Sequence, residues 1–309
     1  MITSVFKKST PINYSLMGIL MVVFFFLYQF HYATEANFAA GIVQKMGLLV
    51  LLFASLFLSN FIVKKNGLTK NSSYTILFFF LFLLFFPNIM NNSKLLLANF
   101  FILLSMRRLV SLQTLKAPKE KIFDAALWIF VASIFQFWCI LFIILVYISI
   151  VFHVSRDYRN WLIPFVAFFT TAIIFVFYSL WIDQSALNAY LQSEVINVQL
   201  DYFANKYQNI AFSIYAVFVV FFIFPSVFSI TSKPLNLQAS YKKVIFGALI
   251  GIVIFVISAN KSNDVLVFTF LPMAIMASNT IEYLQHKFQQ EIILFISIAC
   301  GFFCFFSQL

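Results

Sequence analysis

The chain has 309 residues, 63% hydrophobic and only 10% charged, with a formal net charge of +10 and a mean hydropathy of +0.97. A soluble domain carries about 25% charged residues, so this composition excludes a fold surrounded by water and makes the bilayer the solvent. The apolar runs, roughly 15 to 30 residues long and without strict alternation, point to helices rather than to a transmembrane barrel.

The chain opens with Lys7 and Lys8, then Pro11 and an apolar stretch from Ile12 to Phe30. A cleaved signal peptide has a core of about 7–15 residues. This longer stretch reads as a retained first helix, with Pro11 suited to its start. Further apolar segments give helices over 12–31, 46–63, 73–87, 89–106, 122–135, 136–152, 161–181, 210–230, 244–260, 266–284 and 292–307. The expected fold is all-α, a polytopic transmembrane bundle of about eleven helices forming one integral membrane domain over 1–309.

Residues 122–152 are the ambiguous part. As one helix they span about 46 Å, against a hydrocarbon core of about 30 Å. Charge separates the alternatives, because Lys and Arg concentrate on the cytoplasmic side. With a hairpin there and the N-terminus inside, only Lys45, Lys94, Lys206 and Lys261 of the 20 Lys and Arg lie outside. One long helix would flip everything after it and spread the cations far more evenly. The hairpin is therefore expected, with the N-terminus cytoplasmic and the C-terminus outside.

The longest outer connection, 182–209, repeats Leu187, Leu191, Val195, Val198 and Tyr202 at helical spacing, the pattern of an amphipathic surface helix. Pro225 and Pro272 fall inside apolar runs and are expected to kink their helices. Gly247 and Gly251 form a small-xxx-small face for close helix packing.

No side chain combination announces a reaction. Cys139, Cys300 and Cys304 lie in apolar helices, and His31, His153 and His286 are scattered over both faces, so no metal centre and no cofactor are expected. No carboxylate falls clearly at mid-membrane, where coupled transporters place one. The outer acids are Glu35, Asp183, Glu194, Asp201 and Asp264, of which the first four are the outer-face candidates; Glu35 sits in the first outer loop, where transferases using polyprenyl-linked sugars place an acidic base. The +10 charge follows membrane topology and does not point to nucleic acid.

The arginines are different. All four, Arg107, Arg108, Arg156 and Arg159, lie in two inner loops, while the lysines are spread over all of them. Arginine holds phosphate or carboxylate bidentately. Asp124, at the start of the following apolar run, suits a helix cap, or a partner for Arg107 or Arg108. These five residues define a candidate inner-face site for a phosphate or an acidic partner segment.

The stretches "SVFKKSTPINY", "RRLVSLQTLKAPKEKIFDAALWI" and "DYRNWLIPF" resemble a multi-pass membrane family of unknown function found in Bacteroidota. The resemblance implies the inner (cytoplasmic) membrane of a bacterium and carries no catalytic residues. The leading expectation is a structural or accessory subunit of a cell-envelope assembly, in contact with membrane lipids and other envelope proteins. A glycosyltransferase or polymerase acting on polyprenyl-linked sugars and a lipid or solute transporter are the alternatives.

Overall fold

Tyr74–Phe85 reads YTILFFFLFLLF, apolar almost all the way round, and a helix of that kind has no face to offer water. The computed structural model describes residues 2–31, 41–182, 184–192, 196, 205–258 and 261–309, and this helix lies at the centre with all twelve residues buried. The described helices are α1 (Ile2–Phe6), α2 (Pro11–His31), α3 (Ile42–Lys65), α4 (Tyr74–Phe85), α5 (Ser93–Ser111), α6 (Pro118–Phe135), α7 (Ile143–His153), α8 (Arg159–Trp181), α9 (Ser185–Gln192), α10 (Lys206–Phe228), α11 (Leu235–Ile257), α12 (Phe270–Tyr283) and α13 (Lys287–Gln308). No strand occurs among the described residues.

Eight helical segments are long and apolar enough to cross a membrane. α4 is shorter, about 18 Å at 1.5 Å per residue. It stops at Phe86 because Pro87 drives the preceding residue out of the helical region; a 3₁₀ turn, Pro87–Asn91, follows. α6 carries Lys119, Glu120, Lys121 and Asp124 in its first two turns, so only its second half is free of charge and, but for Ser133, apolar. Between α6 and α7, Gln136 is extended (φ −139°, ψ 104°) and a 3₁₀ segment, Phe137–Phe142, leads into α7. Residues 122–152 are thus two helices. They fold back on each other, since Lys119 at the start of α6 pairs with Asp157 just past α7 at 3.1 Å.

α4 packs along α12, and α2, α3, α10, α11 and α13 surround this central pair. Phe270 of α12 sits among Phe79, Phe82 and Phe86, ring centroids 6.1–6.2 Å away. Tyr215 of α10 meets Phe82 and Phe86 edge-on, and its hydroxyl lies 2.6 Å from Thr269 Oγ1. Such ring pairs contribute about 0.5–1.5 kcal/mol each beyond area. α6 lies against α5, and α8 is held outside α6 by a small second cluster of Ala126, Phe130 and Ala167.

The glycine face is internal. A Cβ on Gly251 would stand 2.7 Å from Thr269 Cγ2 and 3.3 Å from the Phe268 carbonyl carbon. One on Gly247 would meet Met106 and Pro272 at 3.3 and 3.6 Å. The pair lets α11 press against the 3₁₀ segment Asn263–Thr269 that precedes α12. Pro272 is not in mid-helix as the apolar run suggested. It stands in the first turn of α12, where a missing N–H is harmless, and the irregular backbone is the 3₁₀ segment before it. Pro225 lies inside α10, one turn from its end.

Candidate functional site

Polar contacts sort the chain ends and connections into two groups. One end of the bundle gathers α1, the connections at 66–73, 111–121, 153–159 and 233–243, and the 282–291 turn. At the opposite end Gln29 donates to Asn91 at 2.6 Å, Gln136 to Ser258 at 3.2 Å, Asn263 to the Gln208 carbonyl at 2.8 Å and Gln308 to the Phe85 carbonyl at 2.9 Å. The first end holds most of the cations and the proposed arginine site.

There, Arg108 from the last turn of α5 pairs with Asp124 of α6, Nη2 to Oδ2, at 2.8 Å. Asp124 is not a cap. Pro118 at the first helical position starts α6 earlier than the apolar pattern does, leaving Asp124 in its second turn, on the face towards α5. Arg107 turns the other way, its guanidinium 4.9 Å over the Phe61 ring of α3. Asp157 is taken by Lys119 and by the Arg159 backbone N–H at 3.0 Å; that backbone bond and then Lys119 hold its carboxyl below the usual range. Arg156 and Arg159 themselves are exposed. The five predicted residues therefore form one ion pair, one ring contact and two exposed cations rather than a single pocket.

The same end holds residues that sequence reasoning missed. Lys243 of α11 is fully buried, and its ammonium donates to the Leu109 carbonyl at 2.5 Å and meets His153 Nε2 at 3.1 Å. Its loop-like context, "SYKKV", hid it. The signal was present: Ser240, Lys243, Val244, Gly247 and Gly251 share one helical face, all buried. Lys233 is also buried, bonded to Asn279 Oδ1 at 3.1 Å and lying over the Tyr283 and Tyr241 rings at 3.7 and 4.5 Å. Tyr241 donates to the Leu68 carbonyl at 2.5 Å. Glu282 accepts from the Lys70 N–H and the Ser72 hydroxyl, and Glu291 from the Thr3 N–H and hydroxyl. Gln113 links the Asn66 carbonyl to Ser240. Each of these side chains ties together segments distant in sequence.

The predicted outer-face acids Glu35, Asp183, Glu194 and Asp201 lie outside the described residues. Of the amphipathic segment 182–209, the described residues include α9, where Tyr190 meets Phe137 and Phe175 at 5.4 and 5.3 Å. Among the described residues no three His, Cys, Asp or Glu side chains are grouped as metal ligands.

Eight membrane-length apolar helices define a multi-pass helical membrane protein by length and composition. The chain belongs to a family of unknown function, DUF6427, whose pattern matches residues 4–309. No curated protein matches it, and no solved structure does.

Proposed function

We propose that this protein is an eleven-crossing component of a bacterial cytoplasmic membrane, with its N-terminus inside and C-terminus outside, serving as a structural or accessory subunit of a cell-envelope assembly. The observation that carries this reading is how the basic end spends its polar groups. Arg108, Lys119, Lys243, Glu282 and Glu291 all bind neighbouring segments of the same chain. That arrangement stiffens a face instead of lining a reaction chamber. Arg156 and Arg159 remain exposed on it, and their forked guanidinium groups suit an acidic segment of a partner protein.

The two-ended sorting of contacts supports the crossing number. α4, α6 and the 137–153 unit each run between the same two ends as the eight longer segments. The positive-inside bias supports a cytoplasmic basic end. Purification of the tagged full chain from native membranes in mild detergent tests the subunit reading. A stoichiometric protein partner, lost in the Arg156→Glu/Arg159→Glu double variant, is the expected result. A monomer without partners, or a partner indifferent to both substitutions, overturns it.

A further inference from the structure

α3 and α5 lie side by side, and each turns one face away from the bundle. On α3 the outward face carries Val50, Phe57 and Phe61 at helical spacing, 63%, 42% and 41% exposed. On α5 the residues between the buried positions are Phe100, Leu104 and Arg107, half-buried and again at helical spacing. The two faces adjoin towards the basic end, because the Arg107 guanidinium lies 4.9 Å over the Phe61 ring. Lys65, one turn beyond Phe61 at the end of α3, places its ammonium 5.2 Å over the same ring.

Two cations thus converge on one exposed ring at the point where the apolar flank ends. A cation over a ring is attracted by the ring's quadrupole, an interaction that needs no hydrogen-bond acceptor. Among the described residues neither side chain forms an ion pair or a hydrogen bond with the protein. Their N–H donors are therefore open to a ligand. The surroundings add to the positive charge. Asp124 of α6 is taken by Arg108 at 2.8 Å, and Lys121 lies within electrostatic reach of Lys65, Arg108 and Lys116.

Position decides which anion suits them. Arg156 and Arg159 belong to a connection at the end of the bundle, where a protein segment can dock. Arg107 and Lys65 instead cap a flank whose preceding turns, at Phe57 and Val50, are apolar and exposed. Charge at the boundary with hydrocarbon surface below it complements a phospholipid lying against the helices. Basic groups beside membrane helices attract anionic headgroups in this way, and the forked donors of arginine match phosphate oxygens.

We infer that Arg107 and Lys65, gathered on the Phe61 ring, bind the phosphate of an anionic phospholipid in the leaflet at the basic end, with its acyl chains along the outward faces of α3 and α5. This goes beyond the subunit reading and rests on neither Arg156 nor Arg159.

Native mass spectrometry of the full chain in detergent, titrated with phosphatidylglycerol, phosphatidylcholine or inorganic phosphate, tests it. Phosphatidylglycerol is expected to bind at least several-fold more tightly than phosphatidylcholine. Lys65→Gln/Arg107→Gln should lower phosphatidylglycerol affinity by about tenfold or more, the usual effect of losing charge-assisted hydrogen bonds. Phe61→Ala keeps both charges but removes the ring that gathers them, and should weaken binding several-fold; Phe61→Tyr should retain it. Lys242→Gln/Lys287→Gln removes the same charge from exposed lysines of the same end and should change binding little. Equal binding of the two lipids, or wild-type affinity in Lys65→Gln/Arg107→Gln, overturns the inference. So does an equal loss in Lys242→Gln/Lys287→Gln, which would make the attraction a property of the whole basic end. Displacement of the lipid by millimolar inorganic phosphate would assign the pair to a free anion and overturn the lipid source.

Discussion

The segments Asn263–Tyr283 and Arg159–Trp181 are nearly equal in length, 21 and 23 residues, and the second is the more apolar, at mean hydropathy 2.1 against 1.5. Yet over the most apolar 18 residues of each, 94% of the first and only 22% of the second are buried within the protein. Lipid tails are as apolar as leucine, so hydropathy does not rank membrane helices from centre to edge. Both segments carry small and hydroxyl residues. Thr170 and Thr171 of the peripheral helix bond to carbonyls of their own helix at 2.8 and 3.0 Å, whereas those of the central segment reach other helices. Thr269, Ala274, Ala277, Ser278 and Asn279 allow close approach and bond to neighbours, as Ser278 does to Thr75 at 3.0 Å. The peripheral helix instead presents Ile173, Ile174 and Phe177 to the outside.

Substitutions on the two segments and their neighbours should separate sharply. Phe82→Ala, beneath Phe270 and Tyr215, should destabilise by about 3 kcal/mol, the low end for such truncations because lipid offsets part of the transfer term but not the cavity. Phe177→Ala on α8, 67% exposed, should stay within about 0.5 kcal/mol. Thermal unfolding in detergent reads both, and equal losses would break the contrast. Next, Gly251→Val should cost about 1–3 kcal/mol by overpacking against Thr269. Gly247→Ala faces the flexible end of Met106 and should cost less. Tyr215→Phe removes the bond to Thr269 and should cost about 0.6–1.7 kcal/mol, the range for hydrogen bonds within membranes.

A pH dependence is expected from Lys233. Burial, reinforced by nearby Lys70 and opposed by Glu282, lowers its pKa from 10.5 to about 8. Between those values the unfolded chain holds more protons than the folded one, so this group's contribution makes stability rise with pH over that window. The titratable groups facing it are Lys70, Tyr241, Glu282 and Tyr283. Lys233→Met should flatten the rise in unfolding temperature between pH 8 and 10; an unchanged slope would exclude Lys233 as its source.

Much of the frame was legible because apolar run length is a one-dimensional signal. The fold-back at Gln136 was legible in charge asymmetry, since Arg107 to Lys121 and Arg156 to Arg159 had to share a side. Central position was not, for the reason the two segments above illustrate. Nor was the 3₁₀ backbone between Asn263 and Thr269, because Val265 to Phe268 read as the start of the apolar run that continues into α12. At the candidate site, the Arg108–Asp124 pair was among the expected partners. Lys233 and Lys243 escaped notice because each sits beside a run boundary, where a lysine reads as a loop charge. Their burial depends on which neighbouring helix covers them, and that is a tertiary fact.

The central claim is an eleven-crossing bundle whose basic end faces the cytoplasm. Single cysteines introduced by Lys94→Cys, Lys116→Cys, Lys206→Cys, Lys242→Cys and Lys287→Cys, with Cys139, Cys300 and Cys304 replaced by alanine, test it in spheroplasts with a membrane-impermeant maleimide. All five lysines are exposed. Labelling of positions 94 and 206 in intact spheroplasts, and of 116, 242 and 287 only after lysis, is the predicted result. Labelling of 116, 242 or 287 before lysis, or 94 and 206 on opposite sides, would contradict it.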